Sequence, residues 1–237
     1  MNDKPPHCAN TGLFVTGTDT DVGKTYVAAL IVRALRATGQ RVGVYKPAAS
    51  GCRRDPANGA LVSDDAVALW EAASRPGELN QVCPQRFAAP LAPHLAARAE
   101  GQELDARLLR EGLDYWRAQS DVIVVEGAGG LFSPLGGDLL NIQLASEFGY
   151  PLVIVAANRL GTIHGVLATV KAAQAHSPAP PIAAIVLNDV TRDDDLSRTT
   201  NSAEMRRHLP RELRDRVIEV RYDAKELNLP SFTQGNR

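Results

Sequence analysis

A glycine-bounded loop near residue 20 carries side chains that could bind a phosphate group. The loop, Gly17-Thr18-Asp19-Thr20-Asp21-Val22-Gly23-Lys24-Thr25, resembles the phosphate-loop pattern G-x-x-x-x-G-K-[ST], with one extra residue between the glycines. Glycines allow several backbone N–H groups to face one anion, and a helix beginning near Gly23 would add its positive end. Lys24 could contact the β- and γ-phosphates, and the Thr25 hydroxyl could ligate Mg²⁺. An apolar strand before the loop and an amphipathic helix after it disfavour the alternative, a glycine-containing turn with an exposed lysine.

A second lysine, Lys46, follows a predicted strand at Arg41–Tyr45. Ligands of open α/β sheets bind at the carboxyl ends of the strands. In the usual doubly wound order this strand lies next to the first one, and Lys46 could then bring a second positive charge to a transferred phosphoryl group. A lysine that lies along the surface and reaches into solvent explains the position equally well.

Carboxylates at two places are candidates for binding a metal ion. Glu126 ends a predicted strand at Val122–Val125 and precedes Gly127-Ala128-Gly129-Gly130. Phosphate-loop proteins place a metal-linked acid at such a strand end, although a solvated Glu in a glycine-rich turn is the alternative. Asp64-Asp65 open a predicted helix at Ala66–Ala73, where acids ordinarily act as caps. Because Mg²⁺ beside ATP takes one or two carboxylates, this pair is also a candidate.

Two acids also lie inside the phosphate loop itself. Asp19 and Asp21 stand among backbone donors suited to phosphate, where additional negative charge is costly. They fit an ammonium or hydroxyl group of a substrate beside the γ-phosphate. Pointing to solvent or capping the helix is the alternative, and it is the commoner fate of acids in loops.

Short runs rich in Val and Ile alternate with amphipathic helical patterns and would carry these residues. Strands are predicted at Gly12–Thr16, Arg41–Tyr45, Val122–Val125, Leu152–Ala156, Ile182–Leu187 and Val217–Val220, and helices at Thr25–Thr38, Leu139–Phe148 and Thr162–Ala175. Strands that are apolar on both faces predict an α/β fold, a doubly wound and mostly parallel sheet with helices on both faces. We expect one domain over 1–237, flexible ends at 1–10 and 224–237, and a long polar loop with a short helix at 53–80.

The composition favours a protein that acts on small molecules. The 237 residues hold 26 Lys and Arg against 27 Asp and Glu, a net charge of -1, which argues against coating nucleic acid or an anionic membrane. Three cysteines without metal-ligand spacing fit a reducing compartment. No apolar run approaches the roughly 18 residues of a membrane span, and the polar Pro-containing start does not resemble a signal peptide. We therefore expect a cytoplasmic protein.

Several of these segments together resemble the dethiobiotin synthetase family, the ATP-dependent ligases of biotin synthesis. They occur in the family's order from about residue 12 to residue 190. Besides the phosphate loop, the matching segments are Tyr45-Lys46-Pro47-Ala48-Ala49-Ser50-Gly51, Ser63-Asp64-Asp65-Ala66, Ala89-Pro90-Leu91-Ala92-Pro93-His94-Leu95-Ala96-Ala97, Val125-Glu126-Gly127-Ala128-Gly129-Gly130-Leu131, Leu160-Gly161-Thr162-Ile163 and Asn188-Asp189.

The resemblance implies a P-loop NTPase fold like that of ParA and the nitrogenase iron protein, a homodimer, and a role for each matching residue. Lys24 and Lys46 would be catalytic, and Thr25, Asp65 and Glu126 would organise Mg²⁺. Thr20 and Ser50 would contact substrate, as would Gly161 and Thr162 from across a dimer interface. The remaining nucleotide contacts would come from a larger group, in which Asn188 reads the adenine edge: Asp21, Val22, Gly23, Tyr26, Gly127, Ala128, Gly129, Asn188 and Asp189.

The reaction that the resemblance implies is the closure of a ureido ring. The substrates would be 7,8-diaminononanoate, CO₂ and ATP, and the products dethiobiotin, ADP and phosphate. Two segments differ from the family's usual pattern: His164-Gly165 replaces Asn-His, and the stretch Glu219–Asp223 lacks a proline.

Two other classes of protein share parts of this pattern. A ParA-like switch ATPase usually has an additional lysine early in the phosphate loop, where this chain has Thr18, and a DNA-binding one needs a basic surface. An amidating ligase of the cobyrinate type usually carries a further glutamine-hydrolysing domain. The Lys46 and Ala-Pro-His segments count against both alternatives.

Overall fold

A six-stranded parallel sheet forms the centre of the protein. The computed structural model describes residues 11–193 and 195–227. The strands are β1 (Gly12–Gly17), β2 (Val42–Tyr45), β3 (Val122–Gly130), β4 (Leu152–Ala157), β5 (Ile182–Asn188) and β6 (Val217–Val220). They pair in the order β6-β5-β4-β1-β3-β2, and every pair is parallel. The predicted fold class is thereby confirmed.

Helices cover the sheet. They are α1 (Lys24–Ala37), α2 (Asp64–Ala72), α3 (Leu79–Val82), α4 (Pro93–Ala99), α5 (Ala106–Arg117), α6 (Asn141–Phe148), α7 (Thr162–Ala175) and α8 (Arg198–His208), followed by a 3-10 helix at Arg211–Arg216. Strands β1, β2, β4 and β5 are buried at every position. Since successive side chains of a strand point to opposite faces, both faces of the sheet are covered.

The position of β3 differs from the predicted strand order. Gly12 of β1 pairs with Ile123, and Val42 of β2 pairs with Val122, so β3 lies between the first two strands. The expectation that the strand before Lys46 neighbours β1 is therefore wrong. A right-handed crossover from β1 can place β2 either directly beside β1 or one strand further away. The local sequence of β2 is compatible with both positions.

Strand β3 is also longer than predicted. It continues through the glycines to Gly130, which pairs with Gly17, so Glu126 lies within the strand and not at its end. Similarly, the helix predicted from Leu139 begins at Asn141, because Leu139–Leu140 pair with Pro134–Gly136 as short antiparallel strands.

The polar region after β2 is more ordered than a loop. Arg53–Arg54 and Leu61–Val62 form a small antiparallel pair, and α2 follows. The cap of α2 is Ser63, whose hydroxyl accepts a hydrogen bond from the Ala66 amide at 3.2 Å. The interpretation of Asp64-Asp65 as the cap is therefore wrong; both acids lie in the first helical turn and keep their carboxylates for other partners.

The described chain begins at residue 11 and ends at Leu227. Residues 1–10 and 228–237, most of the ends expected to be flexible, lie outside the described residues. The stretch 224–227 is described and is packed: Ala224 contacts the core and Leu227 is buried. In the described part, Cys52 and Cys83 are buried free thiols, and none of the helices is long and apolar enough to cross a membrane.

Candidate functional site

The phosphate loop joins the carboxyl end of β1 to the start of α1. Gly23 is the N-cap of α1 and has a φ of 82°, a left-handed conformation that favours glycine. An added Cβ there would also meet the side-chain amide of Asn188. The predicted strand–loop–helix arrangement is thus present, with the N-terminus of α1 at the loop, as an anion site requires.

Lys24 is nearly buried at the end of this loop, with 9% of its surface exposed. Its Nζ donates a hydrogen bond to the backbone carbonyl of Asp19 at 3.0 Å. Burial lowers the pKa of Lys24, and the neighbouring Lys46 ammonium acts in the same direction, although the Glu126 and Asp65 carboxylates oppose both. An anion close to Lys24 would therefore stabilise its charged form.

Lys46 is a buried lysine at the centre of an ionic cluster. Its Nζ lies 2.8 Å from Oε1 of Glu126 and 3.1 Å from Oδ2 of Asp65. The Thr25 hydroxyl donates to the same Glu126 oxygen at 2.8 Å. Lys46 is 3% exposed and Glu126 is 1% exposed, so their contact is made away from water, whereas the Asp65 side chain is half exposed. The interpretation of Lys46 as a solvated surface lysine does not fit this burial.

The charges of the cluster stabilise one another. Burial alone would lower the pKa of Lys46, but Glu126 and Asp65 outweigh it and hold that pKa above its ordinary value. Burial alone would raise the pKa of Asp65, and Lys46 outweighs it and holds that pKa below its ordinary value. The ammonium and the Asp65 carboxylate therefore both stay ionised near neutral pH.

One oxygen of this cluster has no partner. Oε2 of Glu126 is buried and accepts no hydrogen bond within residues 11–193 and 195–227. An unpartnered buried carboxylate oxygen is costly unless something binds it. The described residues contain no group of three acidic, His or Cys side chains that could hold a metal by themselves. A magnesium ion shared with phosphates needs only one or two carboxylates, which Glu126 and Asp65 can supply beside the Thr25 hydroxyl.

A cavity of about 500 Å³ surrounds these groups. Two of its lining residues, Ala48 and Ala49, were not predicted; they form a short strand after Lys46, and their small side chains leave room for a ligand. The predicted site residues that line this cavity come from four separate segments: Thr20, Asp21, Gly23, Lys24, Thr25, Tyr26, Lys46, Ser50, Asp65, Glu126, Ala128 and Gly129.

A second cavity, of about 410 Å³, adjoins the first. The two share the lining residues Asp21, Gly23 and Tyr26, so they meet beside the phosphate loop. Predicted nucleotide residues Asn188 and Asp189 line the second cavity, and so does Val190. Tyr222 and Asp223, to which the sequence assigned no role, also line it; they belong to the stretch that lacks the family's proline. The elements that bring them together are the carboxyl ends of β5 and β6.

The side chain of Asn188 is partly committed to the fold. Its Nδ2 donates to the Val22 carbonyl at 3.0 Å and so ties β5 to the phosphate loop. Its Oδ1 is buried, with no hydrogen-bond partner in the described part of the chain. Oδ1 and the second hydrogen of Nδ2 are thus left for a ligand. Asp189, beside it, accepts from Nδ2 of Asn158 at 2.9 Å.

Four predicted residues are not among those that line either cavity in the described chain. Val22 is buried, and Gly127 faces Asn141, whose Oδ1 would be 2.6 Å from an added Cβ. Gly161, with a φ of 93°, is the N-cap of α7, and Thr162 follows it, with a buried hydroxyl that has no hydrogen-bond partner among the described residues. One copy of the chain therefore does not bring Gly161 and Thr162 to the cavity wall.

The fold and the site define a class of protein. The phosphate loop joins β1 to α1 at the carboxyl edge of a parallel sheet, and a second lysine and two acids lie beside it. This is the arrangement of P-loop nucleotide-binding proteins. A family model described as an AAA domain matches residues 11–218. A ParA protein bound to nonspecific DNA has a similar fold, with a TM-score of 0.53, 14% identity and coverage of 93% of this chain and 89% of that one.

Sequence relatives narrow the class to one family. An ATP-dependent dethiobiotin synthetase of Rhodopirellula baltica is 48% identical over 82% of this chain and 78% of its own length. One from Anaeromyxobacter dehalogenans is 44% identical over 85% of this chain and 86% of its own. The chain belongs to the dethiobiotin synthetase family, as its motifs predict.

Proposed function

We propose that this chain is an ATP-dependent dethiobiotin synthetase, a cyclo-ligase that forms a ureido ring from 7,8-diaminononanoate and CO₂. The observation that carries the proposal is the ionic cluster of Lys46, Glu126 and Asp65 beside the phosphate loop, in one cavity with Lys24. A nucleotide with its phosphates on the loop would have its γ-phosphate next to this cluster. The cavity beyond it, lined by small residues and Ser50, suits a flexible small molecule.

The proposed reaction has three steps. One amine of the substrate adds CO₂ and becomes a carbamate; a carbamate oxygen attacks the γ-phosphorus of ATP and displaces ADP. The second amine then attacks the carbamoyl carbon, the ring closes, and phosphate leaves. Lys24 and Lys46 stabilise the negative charge of the transferred phosphoryl group, and the cavity holds the reacting groups together. Because ring closure is intramolecular, this positioning supplies much of the rate.

Magnesium would be held by Thr25, Asp65 and Glu126. Their donor atoms are a hydroxyl and two carboxylates, which suit this hard cation, and the unpartnered Oε2 of Glu126 offers an oxygen ready to bind. When bound, the ion would neutralise phosphate charge and so favour the transfer. Lys46, which contacts both carboxylates, would keep them oriented toward the ion.

A direct assay tests the function. Phosphate release from MgATP is measured with bicarbonate, with and without 7,8-diaminononanoate, and the product is identified by mass. We expect release to depend on the diamine and to match the dethiobiotin formed. Release that ignores the diamine would contradict the ligase and favour a ParA-like ATPase, for which the fold likeness at 14% identity offers no functional support.

Glu126→Gln is expected to raise the Mg²⁺ concentration needed for half-maximal rate by about tenfold to a hundredfold. The amide keeps the size of the side chain but lacks the charge that attracts the cation. The measurement is a Mg²⁺ titration of turnover at fixed ATP. Glu111→Gln, which removes an exposed acid on α5, is the matched control and should leave the titration unchanged. An unchanged titration for Glu126→Gln would remove Glu126 from the metal site.

The complete site is proposed to need two copies of the chain. Gly161 and Thr162 of one copy would contact the substrate bound in the cavity of the other copy, since within one described copy they are absent from the cavity walls. The adjoining Leu160 is 85% exposed, as expected for an apolar residue that a second copy covers. The protein should sediment as a dimer at micromolar concentration, and a monomer under assay conditions would contradict this.

We propose the cytoplasm as its location and small molecules as its only ligands.

A further inference from the structure

Tyr26 lies at the boundary between the two cavities. It follows Thr25 in the first turn of α1, and its side chain is partly exposed. It lines the cavity that holds the phosphate loop and also the cavity between β5 and β6. A ligand that extends from one cavity into the other must therefore pass Tyr26.

The Tyr26 hydroxyl is bound to the far end of the chain. It donates a hydrogen bond to the backbone carbonyl of Ala224, 198 residues further along. Ala224 belongs to the segment that follows β6, which we call the post-β6 segment (residues 221–227). This hydrogen bond is thus a direct connection between the helix of the phosphate loop and the post-β6 segment.

The post-β6 segment forms one wall of the second cavity. Tyr222 and Asp223 face the cavity, opposite Asn188 and Val190 of the β5 end. The segment turns sharply: the Ala224 amide donates to the Arg221 carbonyl at 3.1 Å, and Asp223 has a left-handed φ of 57°. Leu227 is buried and fixes the other end. Between these points the segment is held to the body by the bond from Tyr26 to Ala224 and by the Arg192 guanidinium, which lies 5.3 Å from the centre of the Tyr222 ring.

We propose that the Tyr26 hydroxyl is a positioning group for the nucleoside end of the nucleotide: it holds the Tyr222–Ala224 wall of the second cavity in place. The inference rests on the proposed function only in taking the ligand to be a nucleotide. With the phosphates on the loop, the second cavity is an adjoining space that can receive base and ribose, and it is the one that contains Asn188 and Asp189. The hydroxyl therefore contributes to affinity for the nucleoside part and not for the phosphates.

Tyr26→Phe tests this with two probes. The variant keeps the ring and removes only the hydroxyl. Binding of MgATP and of magnesium tripolyphosphate, which has the phosphates and no base, is measured by calorimetry on the full chain. We expect the Kd for ATP to rise roughly threefold to tenfold, the size of one hydrogen bond, and the Kd for tripolyphosphate to stay within twofold of the original protein. The KM for ATP should rise with it while kcat stays within twofold.

A second tyrosine, Tyr115, provides the matched control. Tyr115→Phe removes a hydroxyl from α5, away from the described cavity linings, and should change neither Kd. Equal weakening of both probes would show that Tyr26 acts on the phosphate loop, and no change in either would show that the hydrogen bond holds nothing the nucleotide needs; both overturn the proposal. A protein that binds ATP but makes no dethiobiotin would contradict the proposed function and leave the binding test intact.

Discussion

Lys46→Met is expected to lower kcat by about 10²-fold to 10³-fold, because it removes a buried positive charge that is proposed to stabilise the transferred phosphoryl group. It should also lower the free energy of unfolding by about 3–5 kcal/mol, since it deprives a carboxylate that is 1% exposed of its ammonium partner. Turnover and chemical denaturation measure the two effects. A typical stability of about 5–15 kcal/mol leaves the variant folded at 25 °C.

A second substitution separates the two effects of Lys46. Glu126→Gln added to Lys46→Met removes the unpaired buried charge, so the double variant should regain part of the lost stability but none of the activity. Lys171→Met, on the exposed side of α7, is the matched control and should alter neither quantity. A Lys46→Met protein with near-normal kcat would show that the lysine is only a structural ion-pair partner.

Asn141→Ala is expected to destabilise the protein by about 3–5 kcal/mol. The side chain is completely buried, its Nδ2 donates to the carbonyls of Ala128, Gly130 and Ser133 at 2.7–3.1 Å, and its Oδ1 accepts from the Ala128 amide at 3.2 Å. The carbonyls of Gly130 and Ser133 keep backbone donors, but the amide and the carbonyl of Ala128 both lose this partner, and each polar group left unpaired away from water costs about 1–3 kcal/mol. For a chain of this length, thermal unfolding should shift down by roughly 6–20 °C.

Two comparison variants sharpen the result for Asn141. Asn141→Asp keeps the acceptor oxygen but loses the donors, and places a carboxylate beside carbonyl oxygens, so it should be no more stable than Asn141→Ala. Asn58→Ala removes a hydrogen bond in an exposed turn and should cost less than about 1 kcal/mol. An Asn141→Asp protein as stable as the original would show that the three donated bonds do not hold the glycine-rich end of β3.

The sequence predicts the elements with strong local patterns. The bounds of α7 and β6 match the prediction at both ends, because runs of apolar residues at helix or strand spacing are decided locally. Helix α5 was missed although Leu109, Leu113 and Trp116 form a buried stripe at helical spacing and Asp105 caps it with two hydrogen bonds. The helical spacing of the apolar residues and the capping aspartate are both visible in the sequence and together indicate a helix.

Other features depend on contacts between distant residues, and local patterns do not contain them. The sequence places Lys46 and Glu126 near strand ends, but their contact at 2.8 Å depends on β3 lying between β1 and β2. Asp65 contacts Lys46 because Ser63 takes the capping position, which leaves the aspartate free. The bond from Tyr26 to Ala224 joins segments with no shared pattern. Roles could be proposed from residue types, whereas the partners of each side chain required the fold.

The sheet order also governs when the site can form during folding. Strand β1, which leads into the phosphate loop, pairs with β3 and β4, whose residues lie more than 100 positions later; Gly12 pairs with Ile123 and Phe14 with Leu152. Such non-local pairings must close long stretches of chain before they gain any contact energy, which slows folding. A ribosome must therefore deliver β4 before the phosphate loop has both of its neighbours. The earliest strand of the site therefore lacks its sheet neighbours until Leu152–Ala157 has been made, well past the middle of the 237-residue chain.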